Sequence, residues 1–152
     1  MSRHLTDDEV DAWNSLASVV ALMTPELETR LRRKCGLNYI QYRVLELLHA
    51  RPGRRQRMIL LAEATDASIS RMSHIVAKLE RAGLVTRSND TGRHVELTDA
   101  GLDAFTDAVP HYIITVRQLL LDAWSTPQLT RQFATMTADL ARHLKSRNPS
   151  PR

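Results

Sequence analysis

The chain has 152 residues, of which 43% are hydrophobic and 25% charged, a composition that excludes a disordered chain and suits one compact domain or a small domain with an attached interaction element. Its net charge of +4 is concentrated in the middle. Residues 51–93 carry nine Lys and Arg against four Asp and Glu, whereas residues 1–50 and 94–152 are close to neutral. A basic centre between near-neutral flanks predicts contact with a polyanion, most often nucleic acid.

Several other classes of protein find no support in the sequence. No run approaches 18 consecutive apolar residues and the first ten residues lack the apolar run of a signal peptide, so we expect a soluble cytoplasmic protein. Six scattered histidines offer no metal-ligand spacing, and we expect no metal or other cofactor. Because the chain lacks a Gly-rich phosphate loop and a G-x-S-x-G motif, we do not expect an enzyme.

The single cysteine, Cys35, excludes an intramolecular disulfide. It is either a small filler near a helix end or a redox sensor, in which case Arg33 and Lys34 would lower its thiol pKa.

A long amphipathic helix is predicted from Thr6 to about Lys34, because apolar residues recur there at spacings of three and four. Thr6 and Glu9 form a capping box at its start, and Gly36 is expected to end it. Pro25 should kink this helix or split it into two pieces near Thr24, since proline removes a backbone donor.

A helix-turn-helix is predicted next. Asn38 is placed to cap the helix YIQYRVLELLHA, which the breaker segment RPGRRQR ends. A short helix from Met58 to Ala64, a turn over residues 65–68 and a helix within SRMSHIVAKLERAGLV follow. Two short helices joined by so tight a turn are typical of this motif.

The remaining elements are a hairpin and two helices. Gly83 should cap the motif, and LVTRS and HVELT read as two strands around the turn NDTG. Thr98 caps a helix that runs to Pro110 and resumes through residues 113–120, and a last helix spans about residues 127–144.

These elements predict a mainly α fold with a small β-hairpin wing, that is, a winged helix-turn-helix plus helices from both termini. We assign residues 1–36 to an N-terminal dimerisation helix, 37–98 to the winged helix-turn-helix DNA-binding domain, 99–146 to C-terminal dimerisation helices and 147–152 to a disordered tail. The terminal amphipathic helices exceed what so small a core can bury, which predicts a symmetric homodimer.

The segment PGRRQRMILLAEATDASISRMSHIVAKLERAGLV (52–85), followed by LTDAG (97–101), resembles the MarR family of transcriptional regulators. The resemblance implies a homodimer whose terminal helices carry two winged DNA-binding lobes on a pseudo-palindromic operator. It also implies that a small phenolic or otherwise aromatic effector binds between the two parts and releases the DNA. The segment between Arg87 and Leu97 is shorter than in typical members, so we expect a short wing.

Candidate DNA contacts lie first on the predicted recognition helix, whose outer face has no acid before Glu80. Arg71 suits a bidentate contact to guanine, and Ser68 and Ser70 suit phosphate oxygens. His74 would meet either a base edge or a phosphate. The polar residues expected to face DNA are Ser68, Ser70, Arg71, Ser73, His74 and Lys78.

Further candidates lie outside that helix. Arg87 and Arg93 are expected to reach phosphates or a narrow minor groove, with Arg93 matching the wing arginine of the family. Asp90 either orients Arg93 or only forms the turn. Sequence-independent affinity is expected from Arg54, Arg55, Arg57 and Lys78.

Candidate effector contacts follow from the position of the ligand cleft in the family. For each of them, packing in the core or the dimer interface is the competing interpretation, and Arg43 would suit a carboxylate ligand. These residues are Trp13, Tyr39, Arg43, His111 and Tyr112.

The leading hypothesis is a homodimeric, sequence-specific DNA-binding regulator, a repressor released by a small ligand. The alternative is a winged-helix module that has lost DNA binding and acts through protein contacts, which the short wing favours and the basic centre opposes.

Overall fold

The computed structural model describes residues 4–88, 93–124 and 126–147, and contains six α-helices and a small antiparallel sheet. The helices are α1 (Asp7–Cys35), α2 (Tyr39–His49), α3 (Met58–Ala64), α4 (Ile69–Arg81), α5 (Asp99–Leu119) and α6 (Pro127–Arg147). The strands are β1 (Arg55–Arg57), β2 (Val85–Arg87) and β3 (His94–Leu97). Short 3₁₀ turns occur at Pro52–Arg54 and Leu121–Ala123. The predicted fold class, mainly α with a small wing, is confirmed.

The helix starts are set by local side-chain caps. Thr6 accepts from the backbone N–H of Glu9 while the Glu9 carboxylate accepts from the backbone N–H of Thr6, which is the predicted capping box. Asn38 and Gln41 form a second box at the start of α2, and Thr98 caps α5 through the N–H of Gly101. These caps satisfy donors that have no partner within the helix, and each is worth about 1 kcal/mol.

For Pro25 the prediction was a kink or a split, and the split was wrong. The predicted interruption of the later helix at Pro110 was also wrong. α1 continues across Pro25 and α5 continues across Pro110. Each proline removes one hydrogen bond to the carbonyl four residues earlier, and those residues, Ala21 and Thr106, are exposed, so water can hydrate the orphaned oxygen. Packing of α1 along α5 then holds both helices together.

The sheet has a third strand that the sequence did not predict. β1 lies in the segment interpreted as a helix breaker and pairs with β3, which also pairs with β2, giving the order β1-β3-β2. The partners are antiparallel, with Gln56 opposite Val95 and Thr86 opposite Glu96. The predicted turn NDTG, with Asp90, lies outside the described residues.

The core is formed mainly by the winged helix-turn-helix, with α5 packed against it. Most of the fully buried side chains come from α2, α3, α4, α5 and the strands. By contrast, α1 contributes one fully buried residue, Leu31, and α6 contributes none. α6 extends to Arg147, three residues beyond the predicted Leu144, so residue 147 belongs to a helix and not to the predicted tail. Near its end Lys145 pairs with Asp66, at 2.9 Å, in the turn between α3 and α4.

Candidate nucleic-acid interface

Helix α4 is sharply divided into a buried and an exposed face. Its buried face consists of Met72, Ile75, Val76 and Leu79, which pack into the core. Ser70, Arg71, His74 and Lys78 lie on the exposed face. A helix anchored on one side with hydrogen-bonding side chains on the other has the form required for insertion into a major groove.

The amino end of α4 is fixed by Ser68. Its Oγ accepts from the backbone N–H of Arg71 at 3.2 Å, which makes Ser68 the N-cap. The hydroxyl proton is not used by this bond, so Ser68 retains a donor for an anionic oxygen. The exposed side chain of Arg71 starts one turn into the helix, at the position from which recognition helices contact base edges.

The predicted DNA contacts separate into two grooves on either side of α4. The first, of about 460 Å³, brings together five of the predicted residues with the start of α2. It is lined by Asn38, Ile40, Gln41, Ser68, Ser70, Arg71, His74, Ile75 and Lys78. The second, of about 240 Å³, is lined by Met58, Ile69, Ser73, Arg87, Ser88, Arg93 and His94. α4 is therefore flanked by α2 on one side and by the wing on the other.

Arg87 ties the wing to α4. Its guanidinium donates to the backbone carbonyl of Ser73 at 3.2 Å and lies 3.1 Å from a carboxylate oxygen of Glu80. Both partners belong to α4, and the Arg87 side chain is about one-third exposed. This geometry gives Arg87 a structural role, holding β2 against the recognition helix, in addition to any contact with DNA.

The arginines of the β1 region have different surroundings. Arg54 pairs with Asp99 at 3.3 Å, and Arg55 donates to the Ser88 hydroxyl at 3.4 Å. Desolvation of the imidazole is the main cause of the lowered pKa of His94, and the positive charges of Arg55 and Arg57 lower it further. Arg55 and Arg57 therefore lie close to the wing, whereas Arg54 is directed towards the start of α5.

Arg93 lies at the base of the wing with a left-handed backbone, φ 45°. Its carbonyl accepts from the backbone N–H of Met58 at 3.1 Å, and its side chain is exposed. Arg93 is thus tethered through its main chain while its side chain is exposed.

The candidate effector residues are only partly brought together. The rings of Tyr39 and Tyr112 stack with centroids 6.2 Å apart, and Arg43 pairs with Glu46 on α2. Trp13 is 65% exposed on α1, about 27 Å along the helix axis from the buried Leu31 at 1.5 Å per residue. Within one chain Trp13 is therefore remote from the tyrosines.

Tyr42 is a member of this cluster that sequence reasoning missed. It is buried and stacks on Tyr112 with centroids 4.4 Å apart. Burial, with smaller contributions from Tyr39 and Glu46, raises the pKa of Tyr112 to about 12. The signal available in the sequence was helical spacing, because Tyr42, Leu45 and Leu48 recur every three residues. The structure buries all three on one face of α2.

The surroundings of Cys35 favour the interpretation as a filler. Burial, together with the negative charge of Asp107, raises the pKa of the Cys35 thiol, which is opposite to the lowering by Arg33 and Lys34 that the redox-sensor alternative requires. A raised pKa disfavours the reactive thiolate.

Within the described residues, no group of three or more His, Cys, Asp and Glu side chains is arranged to hold a metal ion. No helix in the same ranges is long and apolar enough to cross a membrane.

Comparison with known proteins agrees with this geometry. A MarR family model matches residues 36–94. A MarR family transcriptional regulator from Streptomyces coelicolor, solved in complex with DNA, is 31% identical with a TM-score of 0.90, over 95% of this chain and 92% of that chain. AbsC, another MarR family transcriptional regulator from Streptomyces coelicolor, is 34% identical with a TM-score of 0.87, over 95% and 99% of the two chains.

The chain belongs to the MarR family of transcriptional regulators. A further MarR family protein, from Mycobacterium tuberculosis, was solved in complex with p-aminosalicylic acid and is 25% identical, with a TM-score of 0.61 over 84% of this chain and 96% of that chain. No curated protein sequence matches the chain.

In this MarR family chain the described residues keep the predicted order of helix-turn-helix, wing and terminal helices. Sequence reasoning missed Asn38 and Gln41 as lining residues of the larger groove, because it used Asn38 only as a helix cap and assigned no role to Gln41. The signal was present, since amide side chains at a helix start next to a recognition helix are hydrogen-bonding groups at a surface.

Proposed function

We propose that this MarR family regulator binds double-stranded DNA at a pseudo-palindromic operator as a homodimer and acts as a repressor. The observation that carries the DNA contact is the exposed face of α4, where Ser70, Arg71, His74 and Lys78 present donors and positive charge with no acid before Glu80. The DNA complex of the 31% identical relative from Streptomyces coelicolor supports the same partner.

In this proposal α4 lies in the major groove, and its residues make different kinds of contact with DNA. Arg71 binds guanine O6 and N7, while the Ser68 and Ser70 hydroxyls donate to phosphate oxygens. His74 reads a base edge or contacts a phosphate. On the other side of α4, Arg93 extends from the wing towards the minor groove, where negative potential is strongest if the groove is narrow.

The salt dependence of DNA affinity tests this function. Duplexes selected by the protein from a random-sequence library are titrated at several salt concentrations with fluorescence anisotropy as the readout. If the dimer neutralises six or more phosphates, affinity falls by roughly a thousandfold or more between about 50 and 200 mM salt. Affinity that does not change with salt would contradict DNA binding and favour the alternative, a winged-helix module acting through protein contacts.

The homodimer is supported by apolar side chains that a single chain leaves exposed. On α1, Trp13 is 65% exposed and Val20 57%, and on α6, Met136 is 71% exposed. Leu129, Leu140 and Leu144 continue the α6 stripe at helical spacing. Exposed apolar stripes of this extent indicate a protein interface. Two copies that pack their terminal helices against each other would bury these side chains.

Met136→Glu is expected to shift the protein from dimer to monomer, because the introduced carboxylate would be buried without a partner in the interface. Sedimentation velocity at micromolar concentrations measures the change. Ala138→Glu is the matched control, since residue 138 is exposed about 200° around the same helix from Met136 at 100° per residue. If both variants sediment like the unmodified protein, the α6 stripe is not the dimer interface.

A small aromatic acid as effector is supported by the p-aminosalicylic acid complex of the relative from Mycobacterium tuberculosis. The tyrosines of α2 and α5, with Arg43 beside them, offer rings for stacking and a cation for a carboxylate. Such a ligand would release DNA by binding more tightly to a lobe spacing that mismatches successive major grooves. Salicylate added to the anisotropy titration tests this, and unchanged DNA affinity at saturating salicylate contradicts it for this ligand.

A further inference from the structure

The larger groove beside α4 is lined on its far wall by the start of α2. Asn38 and Gln41 form that wall, opposite Arg71, His74 and Lys78 of α4. The groove has a volume of about 460 Å³, and none of its lining residues is Asp or Glu. The groove lies on the polar side of α4 and is therefore part of the candidate DNA-binding surface.

The capping box at the start of α2 fixes how both amides are oriented. The Oδ1 of Asn38 accepts from the backbone N–H of Gln41 at 2.9 Å, and the Oε1 of Gln41 accepts from the backbone N–H of Asn38 at 2.9 Å. Only an oxygen accepts from a backbone N–H, so the assignment of each amide is unambiguous. Both side-chain NH₂ groups remain as donors, and neither donates a hydrogen bond to another of the described residues.

The two walls of the groove therefore present the same type of group. α2 contributes two amide donors, and α4 contributes the guanidinium of Arg71, the ammonium of Lys78 and the imidazole of His74. A ligand for such a groove must supply several acceptors and negative charge. A phosphodiester meets both requirements, whereas a neutral or basic peptide segment does not.

The dimensions of B-DNA place a phosphodiester there. An α-helix with its side chains is about 10–12 Å across and the major groove is about 12 Å wide, so a helix lying in the groove has a sugar–phosphate strand close on each side. The wing flanks α4 on one side and the start of α2 flanks it on the other.

We propose that the groove between α2 and α4 binds a phosphate of the DNA strand that borders the occupied major groove, with the NH₂ groups of Asn38 and Gln41 as donors. This inference rests on the proposed DNA binding and extends it to a helix outside the helix-turn-helix. The contact would fix the depth and register of α4 and so make base reading by Arg71 reproducible.

Gln41→Glu tests the proposal without disturbing the fold. Glutamate keeps the oxygen that accepts from the Asn38 N–H and is a standard residue at this capping-box position, so the unfolding midpoint should be unchanged or raised. The lost donor and the added negative charge should weaken binding to selected DNA by about tenfold or more. Gln128→Glu is the matched control, because it makes the same chemical change in the exposed first turn of α6, and it should alter affinity by less than about twofold.

Single methylphosphonate substitutions, which neutralise one phosphate at a time, locate the contact. For the unmodified protein, one position per half-site beside the guanine contacted by Arg71 should lower affinity, and for Gln41→Glu the same substitution should cost much less. If Gln41→Glu binds like the unmodified protein while both show salt-dependent affinity, the phosphate contact is overturned and the proposed function stands. If the unmodified protein shows no salt-dependent DNA binding, the proposed function itself is overturned.

Discussion

Gly101→Ala is expected to destabilise the folded protein by about 2 kcal/mol or more, because the position has no room for a side chain. A Cβ on Gly101 would lie 2.0 Å from the carbonyl oxygen of Leu84 and 2.7 Å from Cδ1 of Leu97. The first of these atoms is backbone that accepts from the Thr98 N–H at 3.1 Å, so it cannot move without breaking that bond. Glycine is therefore required in the LTDAG segment by close packing and not by a special dihedral angle.

Denaturant unfolding followed by circular dichroism measures this effect. Asp103→Ala is the control, since residue 103 is exposed two positions further along the same helix and should change stability by less than about 0.5 kcal/mol. Equal stability of Gly101→Ala and the unmodified protein would show that the start of α5 does not pack against the Leu84 backbone as described.

The side chain of Thr98 connects the base of the wing to α4 and α5. Thr98 donates through Oγ1 to the Gly83 carbonyl at 2.7 Å and caps α5 by accepting from the Gly101 N–H at 2.9 Å. One residue thus joins the end of the recognition helix, the last strand and the first turn of α5.

Arg71→Ala is expected to lower affinity for the selected operator by roughly 5- to 150-fold, the equivalent of about 1–3 kcal/mol for one bidentate guanine contact. Affinity for random-sequence DNA should fall much less, because a guanine contact is made only at the matching base. Competition titrations with the selected duplex and with random duplex give the two values. Base preference at one position of each half-site should be relaxed.

Arg54→Ala provides the contrast. Arg54 pairs with Asp99 at 3.3 Å rather than facing the groove beside α4, so we expect a small and equal weakening on selected and random DNA. If Arg71→Ala and Arg54→Ala lose the same affinity on both DNAs, the assignment of Arg71 to direct base reading is wrong.

Elements defined by nearby residues were predictable from the sequence. The caps at Thr6, Asn38 and Thr98 and the short helix α3 depend on hydrogen bonds and apolar spacing within a few positions. The polar face of α4 was likewise predictable, because helical periodicity assigns each residue to a face. These local rules were enough to place Arg71 and His74 on the exposed side.

Features created by distant contacts were not predictable. β1 is three residues long and exists only because it pairs with β3, almost 40 positions later. The unbroken course of α5 past Pro110 was not predicted, because proline rules ignore the packing of α1 on α5. The attachment of Arg87 to Ser73 and Glu80, and the second use of Asn38 and Gln41 as groove-lining donors, also depend on tertiary geometry.

Chemical protection of guanine N7 tests most directly the claim that α4 reads DNA from the major groove through Arg71. Dimethyl sulfate methylates N7 in that groove, so a bound side chain shields the atom. The bound protein should protect at least one guanine in each half-site, and Arg71→Ala, at a concentration that still saturates the duplex, should lose protection at one of them. A fully bound duplex in which every guanine N7 remains reactive would contradict this account.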